Sequence, residues 1–520
     1  RRVAALGYNA VTVDDVAHLA DSPLYEPEVR ATIAAHRERY ARLFEVIGGH
    51  GLRLYVTMDV LSYTPALQRV IGTRIRPVAG FMAGLLERFL DDFPCVHGVI
   101  MRVGECDGLD VRHDFRSRLV LRQPRHVKHL LRRVLPVFER AERELVFRTW
   151  TVGAYRIGDL IWHRKRVAEV FNSLRSKALT VSMKYGESDF FRYLQVNSHF
   201  FRLRQPTLVE LQARREYEGC GEFPAFVGGD YGEYAAELQQ APNLRGIYVW
   251  CQTGGWTPFG RRAFLEPAAV WNEINTAVTI DIFKRGSSPA QALRHWAAAS
   301  GNPDPDALLR LLERSERMIK RLLYIPDVAA QKLFFRRVRV PPLLHVYWHN
   351  IFINHSLKKT LSHFARDPAG SIDDGYAALA EFDAMLADAG ACGMPVADIE
   401  FMRDTFALLA LAREYYFGTF SEELRERIKS AKRDYKRRYP KSLRPRYKVR
   451  TNFTPFPISQ RSLRIFASIA LRRQRGYRII DQIVTLRFLS LVYRLARNRG
   501  KRLVPKFARK SAMGVDTLFR

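Results

Sequence analysis

Short apolar runs rich in β-branched residues recur along the first half of the chain, and each run ends in polar or charged residues. Eight such runs predict strands, beginning at residues 8 (YNAVTVDD), 52 (LRLYVTMDV), 96 (VHGVIMRVGE), 144 (ELVFRTWT), 179 (LTVSMKYG), 207 (TLVELQAR), 244 (LRGIYVWCQ) and 274 (INTAVTIDIF). The segments between them carry apolar residues at helical spacing. Strands that alternate with helices require a parallel sheet, and eight such units favour a (β/α)8 TIM barrel over an open doubly wound sheet.

The pattern changes at about residue 288, where the strand-like runs stop. Amphipathic helical patterns such as VADIEFMRDTFALLALAREYYF follow, and beyond residue 425 a basic, proline-interrupted stretch leads into Arg-rich helical patterns. We therefore predict a catalytic barrel over residues 1–285, an α-helical domain over 286–424, and a basic linker with an amphipathic helical tail over 425–520. Charged residues interrupt the apolar run of the tail, so the tail is not expected to cross a membrane.

The formal net charge of +31 is distributed very unevenly. Residues 421–520 hold 29 Lys and Arg against 6 Asp and Glu, whereas the preceding residues are only mildly basic. The tail is therefore the part expected to contact an anionic polymer or a membrane surface. Nucleic acid ranks last, because the chain contains no recognised nucleic-acid module. No Gly-x-Gly-x-x-Gly fingerprint or P-loop follows a predicted strand, and we expect no cofactor.

The five cysteines are odd in number, widely spread and without a Cys-x-x-Cys pair. This favours a reducing compartment or a protein without disulfides, so we expect a cytoplasmic protein, with association to a membrane surface as an alternative. Arg1 and Arg2 are not a natural start, which is consistent with a missing N-terminal segment. Nothing in the sequence indicates an oligomeric state.

Ionisable and aromatic side chains are concentrated at the predicted strand ends, where a barrel of this kind builds its active site. They are Asp14, Asp15, Arg102, Glu105, Asp107, Arg148, Trp150, Lys184, Asp189, Glu216, Trp250, Gln252 and Trp256. Carboxylates there can act as acid and base on a glycosidic bond, cations can bind an anionic substrate, and tryptophans can stack on a sugar. One such residue alone would more often be a solvated loop charge, but the whole set favours a site. Histidines at ligand spacing are missing from the set, so we expect no metal.

Two of these strand ends carry longer motifs, Lys184-Tyr-Gly-Glu-Ser-Asp189-Phe and Glu210-Leu-Gln-Ala-Arg-Arg-Glu216-Tyr. They resemble the Lys-x-Gly-x-x-Asp-Phe and Glu-Leu-Gln-x-x-x-Glu-Tyr motifs on strands 5 and 6 of the α-glucuronidases of glycoside hydrolase family 67. FRTW around Arg148 is a weaker match, and the resemblance runs along most of residues 8–300. The family's N-terminal β-domain is absent from this chain, and its members lack so basic a tail.

The resemblance implies an inverting glycoside hydrolase that acts on an acidic glycan containing uronic acid. It places Asp189 and Glu216 as the pair that activates water. The general acid on strand 3 maps onto Glu105 or Asp107, because one residue is inserted there, and we prefer Glu105. The resemblance also places Arg102, Arg148 and Lys184 where the family binds the uronic carboxylate or ring hydroxyls. From their positions at the strand ends we add Asp15, Trp150, Gln252 and Trp256 as candidates for substrate binding.

The rival hypothesis is a catalytically inactive barrel that binds an anionic polysaccharide, a membrane surface or nucleic acid through its basic tail. Within the strand-6 motif, Glu210 is expected to be a structural acid. Glu218 and Glu222 are expected to be loop charges, and Arg214 and Arg215 have no predicted role.

Overall fold

Seven parallel strands form a curled sheet in the computed structural model, which describes residues 1–103, 115–151, 155–252, 258–265, 269–335, 338–455 and 459–472. The strands are β1 (Ala10–Val13), β2 (Arg53–Asp59), β3 (Val96–Arg102), β4 (Glu144–Arg148), β5 (Leu179–Lys184), β6 (Thr207–Gln212) and β7 (Leu244–Trp250). Each pairs in parallel with its neighbour in chain order. Seven of the eight predicted strands and the α/β barrel fold are therefore confirmed.

The period of two along each strand separates an inner from an outer side. A small apolar cluster of one residue from each of six strands fills the inside of the sheet. Its members are Ala10, Tyr55, Ile100, Val146, Leu208 and Tyr248. The alternate residues, such as Val56 and Val99, belong to the large core between the sheet and its helices.

Helices cover the outside of the sheet between successive strands. They are α1 (Pro27–Gly49), α2 (Ile75–Asp92), α3 (Pro124–Arg140), α4 (Arg164–Phe171) and α5 (Gly228–Leu238). Shorter helical segments are Arg2–Ala5, Val16–His18, Pro65–Ile71 and Arg156–Ile161, and Ser62–Tyr63 pairs with Arg116–Ser117. Residues between β5 and β6 form turns and loops, so the connection after β5 approaches the next strand without a covering helix.

The predicted eighth strand is wrong, because its residues form helix α6 (Val270–Ile280) and a π-helical turn (Asp281–Arg285). The helix lies beside the start of β1, where the Tyr8 hydroxyl donates to the Thr276 carbonyl at 2.9 Å. The Asn275 amide donates to the carbonyls of Ala213 and Ala225 at 3.0 and 2.9 Å. Helix α6 is buried on nearly all sides, and its short run of apolar and β-branched residues suggested a strand.

A helical domain follows the barrel, as predicted. Its helices are α7 (Pro289–Ser300), α8 (Pro305–Met318), α9 (His355–Phe364), α10 (Pro368–Leu379), α11 (Glu381–Ala391), α12 (Val396–Phe417), α13 (Glu422–Arg438) and α14 (Gln460–Ala470). A π-helical turn (Ile319–Leu323) and a short helix (Pro326–Ala329) follow α8. The long helix α12 is central, since it packs against α9, α10, α11 and α13.

Short strands complete this domain. A hairpin of β8 (Val346–Tyr347) and β9 (Asn350–Asn354) extends into a three-stranded sheet with β10 (Lys448–Asn452), which runs parallel to β9. A second small sheet pairs Phe334–Phe335 with Val338–Arg339 and with Leu471–Arg472.

The segment predicted as a basic linker is instead folded as far as β10. Helix α13 runs across the predicted boundary at residue 425, and β10 belongs to the sheet of the β8–β9 hairpin. Tyr447, just before β10, is fully buried and stacks on Phe223 with ring centroids 5.6 Å apart. Residues 473–520 of the predicted tail lie outside the described residues. No helix among those described is long and apolar enough to span a bilayer.

Candidate active site

The inner side of the sheet becomes charged towards the carboxyl ends of the strands. Continuing the period of two from Ile100 and Val146 leads to Arg102 and Arg148, and from Leu208 to Glu210. The inner side of the sheet is therefore apolar in the middle of the strands and charged at their carboxyl ends, where a barrel places its active site.

Arg102 brings together carboxylates from the ends of β1 and β2. Its Nη2 lies 2.6 Å from Asp15 Oδ2 and its Nε 2.9 Å from Asp59 Oδ1, with Asp14 Oδ1 at 3.6 Å from Nη1. The structure therefore joins the two predicted substrate-binding residues Arg102 and Asp15 in one ion-paired cluster. Asp59 was not among the predicted site residues, although it closes the strand-2 run in the sequence.

The carboxyl group of Asp15 is buried, and its burial dominates its ionisation. Burial raises the pKa of Asp15 to about 7 against the attraction of Arg102, and repulsion from Asp59 and Asp14 contributes to the rise. At neutral pH this group is therefore poised between its charged and neutral forms.

The raised pKa of Asp15 predicts a pH dependence of stability. The pKa of an aspartate in an unfolded chain is about 4, so the folded protein holds this proton more tightly. The free energy of unfolding should therefore fall as the pH rises from about 4 to about 7, and Asp15→Asn should flatten that fall in urea denaturation series. Asp21→Asn is the control, because a hydrogen bond from Arg30 lowers the pKa of Asp21 and its contribution has the opposite sign. An unchanged slope in Asp15→Asn would contradict the assignment.

Arg148 and Glu210 form a buried bidentate ion pair inside the barrel. The Arg148 Nε and Nη2 lie 3.0 and 2.8 Å from the two Glu210 carboxylate oxygens, and the Ser182 hydroxyl donates to Oε1 at 2.8 Å. Burial acts to raise the pKa of Glu210, but Arg148 outweighs it and the pKa lies below the usual value. The Arg148 guanidinium also stacks over Trp250, 4.8 Å from the ring centroid. Glu210 and Arg148 therefore neutralise each other in the barrel interior, which agrees with the structural role expected for Glu210.

Lys184 and Asp189 form a second buried ion pair at the end of β5. The Tyr217 hydroxyl donates to Asp189 Oδ2 at 2.8 Å and the Phe190 amide to Oδ1 at 2.9 Å. Burial acts to raise the pKa of Asp189, but Lys184 and these hydrogen bonds outweigh it and hold the pKa below its usual value. Trp150 lies under the ammonium group, which is 3.8 Å from the indole centroid. Asp189 is therefore an ionised carboxylate at neutral pH.

Glu216 lies next to this pair, on the loop that follows β6. Arg215 adopts a left-handed backbone conformation with φ of +53°, which turns the chain directly before Glu216. The Gln212 side chain holds Glu216 twice, since its amide donates to Glu216 Oε1 at 3.2 Å and its carbonyl accepts from the Glu216 amide at 3.0 Å. Tyr217, the next residue in the chain, donates its hydroxyl hydrogen bond to Asp189. Because β5 and β6 are paired, the two acids predicted to activate water follow neighbouring strands.

A buried charge network beneath this loop was missed by the sequence prediction. Glu218 is fully buried and paired with Arg192 and Arg215 at 3.0 and 2.5 Å. Arg192 also reaches Glu316 of the helical domain at 3.0 Å. Glu222 is buried as well and pairs with Arg444 at 3.0 Å. The expectation that Glu218 and Glu222 are ordinary loop charges is wrong, because both carboxylates are buried and ion-paired, Glu218 with cations of the barrel and Glu222 with Arg444 beyond α13.

Four further residues were predicted to belong to the site, namely Gln252, Glu105, Asp107 and Trp256. Gln252 follows β7 and is exposed. Both candidates for the general acid, Glu105 and Asp107, and the predicted stacking residue Trp256 lie outside the described residues. In the part of the chain that the structure describes, no three His, Cys, Asp or Glu side chains are grouped so that they could hold a metal ion.

Comparison with known proteins gives similarity in structure only. No protein-family model and no curated protein matches the sequence. A GH138 enzyme targeting the pectin rhamnogalacturonan II aligns with 86% of this chain and 58% of its own, at 11% identity and a TM-score of 0.50. An O-GlcNAc hydrolase from Thermobaculum terrenum aligns with 86% of this chain and 87% of its own, at 10% identity and a TM-score of 0.40.

The similarity to the GH138 enzyme shows the fold and covers little more than half of that protein's length. At this level of identity it carries no information on individual residues. The chain has an α/β barrel followed by a helical domain, a fold similar to that of the GH138 enzyme over the aligned residues.

Proposed function

We propose that the protein is a glycoside hydrolase acting on an acidic glycan that contains uronic acid. The observation that carries the proposal is the placement of Asp189 and Glu216 on neighbouring strand ends, joined through Tyr217. Both residues are buried, at 7% and 8% exposure. The glycoside hydrolase-like fold and the resemblance of both motifs to those of α-glucuronidases support the same conclusion.

In the proposed mechanism the anomeric configuration is inverted. Asp189 and Glu216 orient a water molecule and take its proton as the water attacks the anomeric carbon. Glu105 or Asp107, which follow β3 in the sequence, protonates the leaving oxygen on the opposite face of the sugar. An inverting pair needs its acid and base carboxyl groups about 6.5–9.5 Å apart, which leaves room for that water.

The predicted cations take different roles in this proposal. Lys184 keeps Asp189 ionised, and Arg148 holds Glu210 in the barrel interior, so both act mainly through protein carboxylates. Arg102 is the most exposed of the three, at 18%, and is the first candidate to contact a substrate carboxylate. Trp150, Trp256 and Gln252 would bind the sugar around it, by stacking and by hydrogen bonding.

The stereochemistry of the first product tests the proposal. Aryl α-glucuronides and acidic oligosaccharides should be hydrolysed, and proton NMR should show the inverted anomer before mutarotation. A first product of retained configuration would contradict the inverting mechanism. If no substrate of the panel is hydrolysed while the glycans still bind, the inactive-barrel hypothesis is favoured.

A further inference from the structure

The β8–β9 hairpin of the helical domain reaches the carboxyl end of the barrel. Tyr347, at the turn of the hairpin, lies close enough to Tyr217 to act on its ionisation. Burial, then Asp189 and Glu216, and then Tyr347 raise the pKa of the Tyr217 phenol well above its usual value. Tyr347 is half-buried, and its ring contacts that of Trp348 with centroids 4.1 Å apart. The helical domain therefore contributes an aromatic surface beside the proposed catalytic pair.

His349 continues this surface and connects it to the loop of Glu216. Its ring meets Phe259 edge-on, with centroids 6.5 Å apart. The Phe259 carbonyl accepts a hydrogen bond of 2.6 Å from Arg214, two residues before Glu216. The hairpin is therefore linked to the loop after β6 through Phe259.

Three cations, Lys441, Lys448 and Arg450, surround His349, and we call them the basic cluster. Burial and the charges of Lys448, Arg450 and Lys441 lower the pKa of His349 to about 4, so His349 is neutral. Burial, Lys441 and Arg450 also lower the pKa of Lys448, which shows that like charges crowd here. Both ring nitrogens of His349 are buried and have no hydrogen-bond partner among the described residues.

The two lysines of the basic cluster differ from the neighbouring Arg444 in their ion pairs. Arg444 lies nearby in the chain and is paired with both Glu222 and Asp398. Among the described residues, no carboxylate forms an ion pair with the ammonium groups of Lys441 or Lys448, and no hydrogen bond from either group occurs there. Lys441 is exposed and Lys448 is half-buried, so both remain accessible to a ligand. Crowded, uncompensated cations attract an anionic ligand electrostatically.

We infer that the basic cluster binds carboxylate groups of an acidic polysaccharide whose chain extends over the Tyr347–Trp348 surface from the Glu216 site. The inference rests on the proposed function, which it deepens by making the substrate a polymer rather than a single acidic sugar. A polysaccharide is favoured because the Tyr347 and Trp348 rings and the basic cluster lie on or next to the same three-stranded sheet, an arrangement that suits sugar rings bearing carboxylates.

Charge reversal of the two unpaired lysines tests the inference in the full chain. Polygalacturonate is the probe, and its Kd is measured by isothermal titration calorimetry at low salt. Lys441→Glu with Lys448→Glu should weaken binding by about tenfold or more, because two attractive charges become repulsive. Arg450 is left in place, since its Nε donates to Asn350 Oδ1 at 2.8 Å and supports the small sheet.

The matched control is Arg39→Glu with Arg42→Glu, which makes the same charge change on the exposed side of α1. It should leave the Kd for polygalacturonate unchanged, and Lys441→Gln with Lys448→Gln should give an intermediate loss. Equal Kd values for the wild type and the cluster variant would overturn the inference. Loss of binding to duplex DNA or anionic vesicles, with polygalacturonate binding unaffected, would also overturn it.

Steady-state kinetics separate this inference from the proposed function. The cluster variant should raise KM for polygalacturonate-type polymers with kcat unchanged, and should leave KM for an aryl glucuronide unchanged. If no glycan is hydrolysed by the wild type, the proposed function fails, whereas the binding comparison still decides whether the basic cluster holds the polymer.

Discussion

Replacing Glu216 by Gln should lower kcat by about 10²- to 10⁴-fold while KM and Tm stay nearly constant. The amide has the shape of the carboxylate and can still accept the hydrogen bond from Gln212, which is 3.2 Å long. It cannot take a proton from water, so only the chemical step is impaired. Stopped assays on the best acidic oligosaccharide, with saturation curves for both proteins, give the two constants separately.

Glu237→Gln is the matched control for this substitution. Glu237 is exposed on α5, so the same change of chemistry there should leave kcat unchanged. Asp189→Asn should lose activity to a similar degree, and it should also lower Tm, because Lys184 loses its buried partner. Wild-type kcat in Glu216→Gln would rule out Glu216 as the group that activates water.

Replacing Arg148 by Met should lower the free energy of unfolding by about 3–5 kcal/mol. The substitution leaves the Glu210 carboxylate uncompensated in the barrel interior, where it is fully buried. This is a large share of the stability of a typical domain, about 5–15 kcal/mol. Urea denaturation followed by tryptophan fluorescence measures the loss.

Two further variants show whether that loss of stability comes from the uncompensated charge of Glu210. The double variant Arg148→Met with Glu210→Gln should recover part of the stability, since no charge is then buried alone. Arg245→Met removes one partner of the exposed pair with Glu144 and should cost only about 0–1 kcal/mol. If Arg148→Met keeps its stability but raises KM for an acidic substrate, then Arg148 binds the substrate directly.

The sequence alone was sufficient to predict seven strands and the two motif acids. Alternation of apolar and polar residues is a local property, and it survives in any strand whose outer side packs on helices. The same period of two places Arg102, Arg148 and Glu210 on one inner side, so the charged end of the barrel could be predicted from spacing. The motif spacing also placed Asp189 and Glu216 at adjacent strand ends, where the structure has them.

Pairings between residues far apart in sequence could not be predicted in this way. Glu218 looked like a loop charge because its partner Arg192 and the covering residue Tyr324 come from other parts of the chain. Helix α6 was mistaken for a strand, because a short run of apolar and β-branched residues fits a buried strand as well as a buried helix.

Local sequence therefore determined where the strands run and which acids end them. The tertiary structure decided which of the charges are compensated within the protein and which face outwards. The physical reason is that burial and the approach of a distant countercharge set the state of an ionisable group, and both arise only when the chain folds.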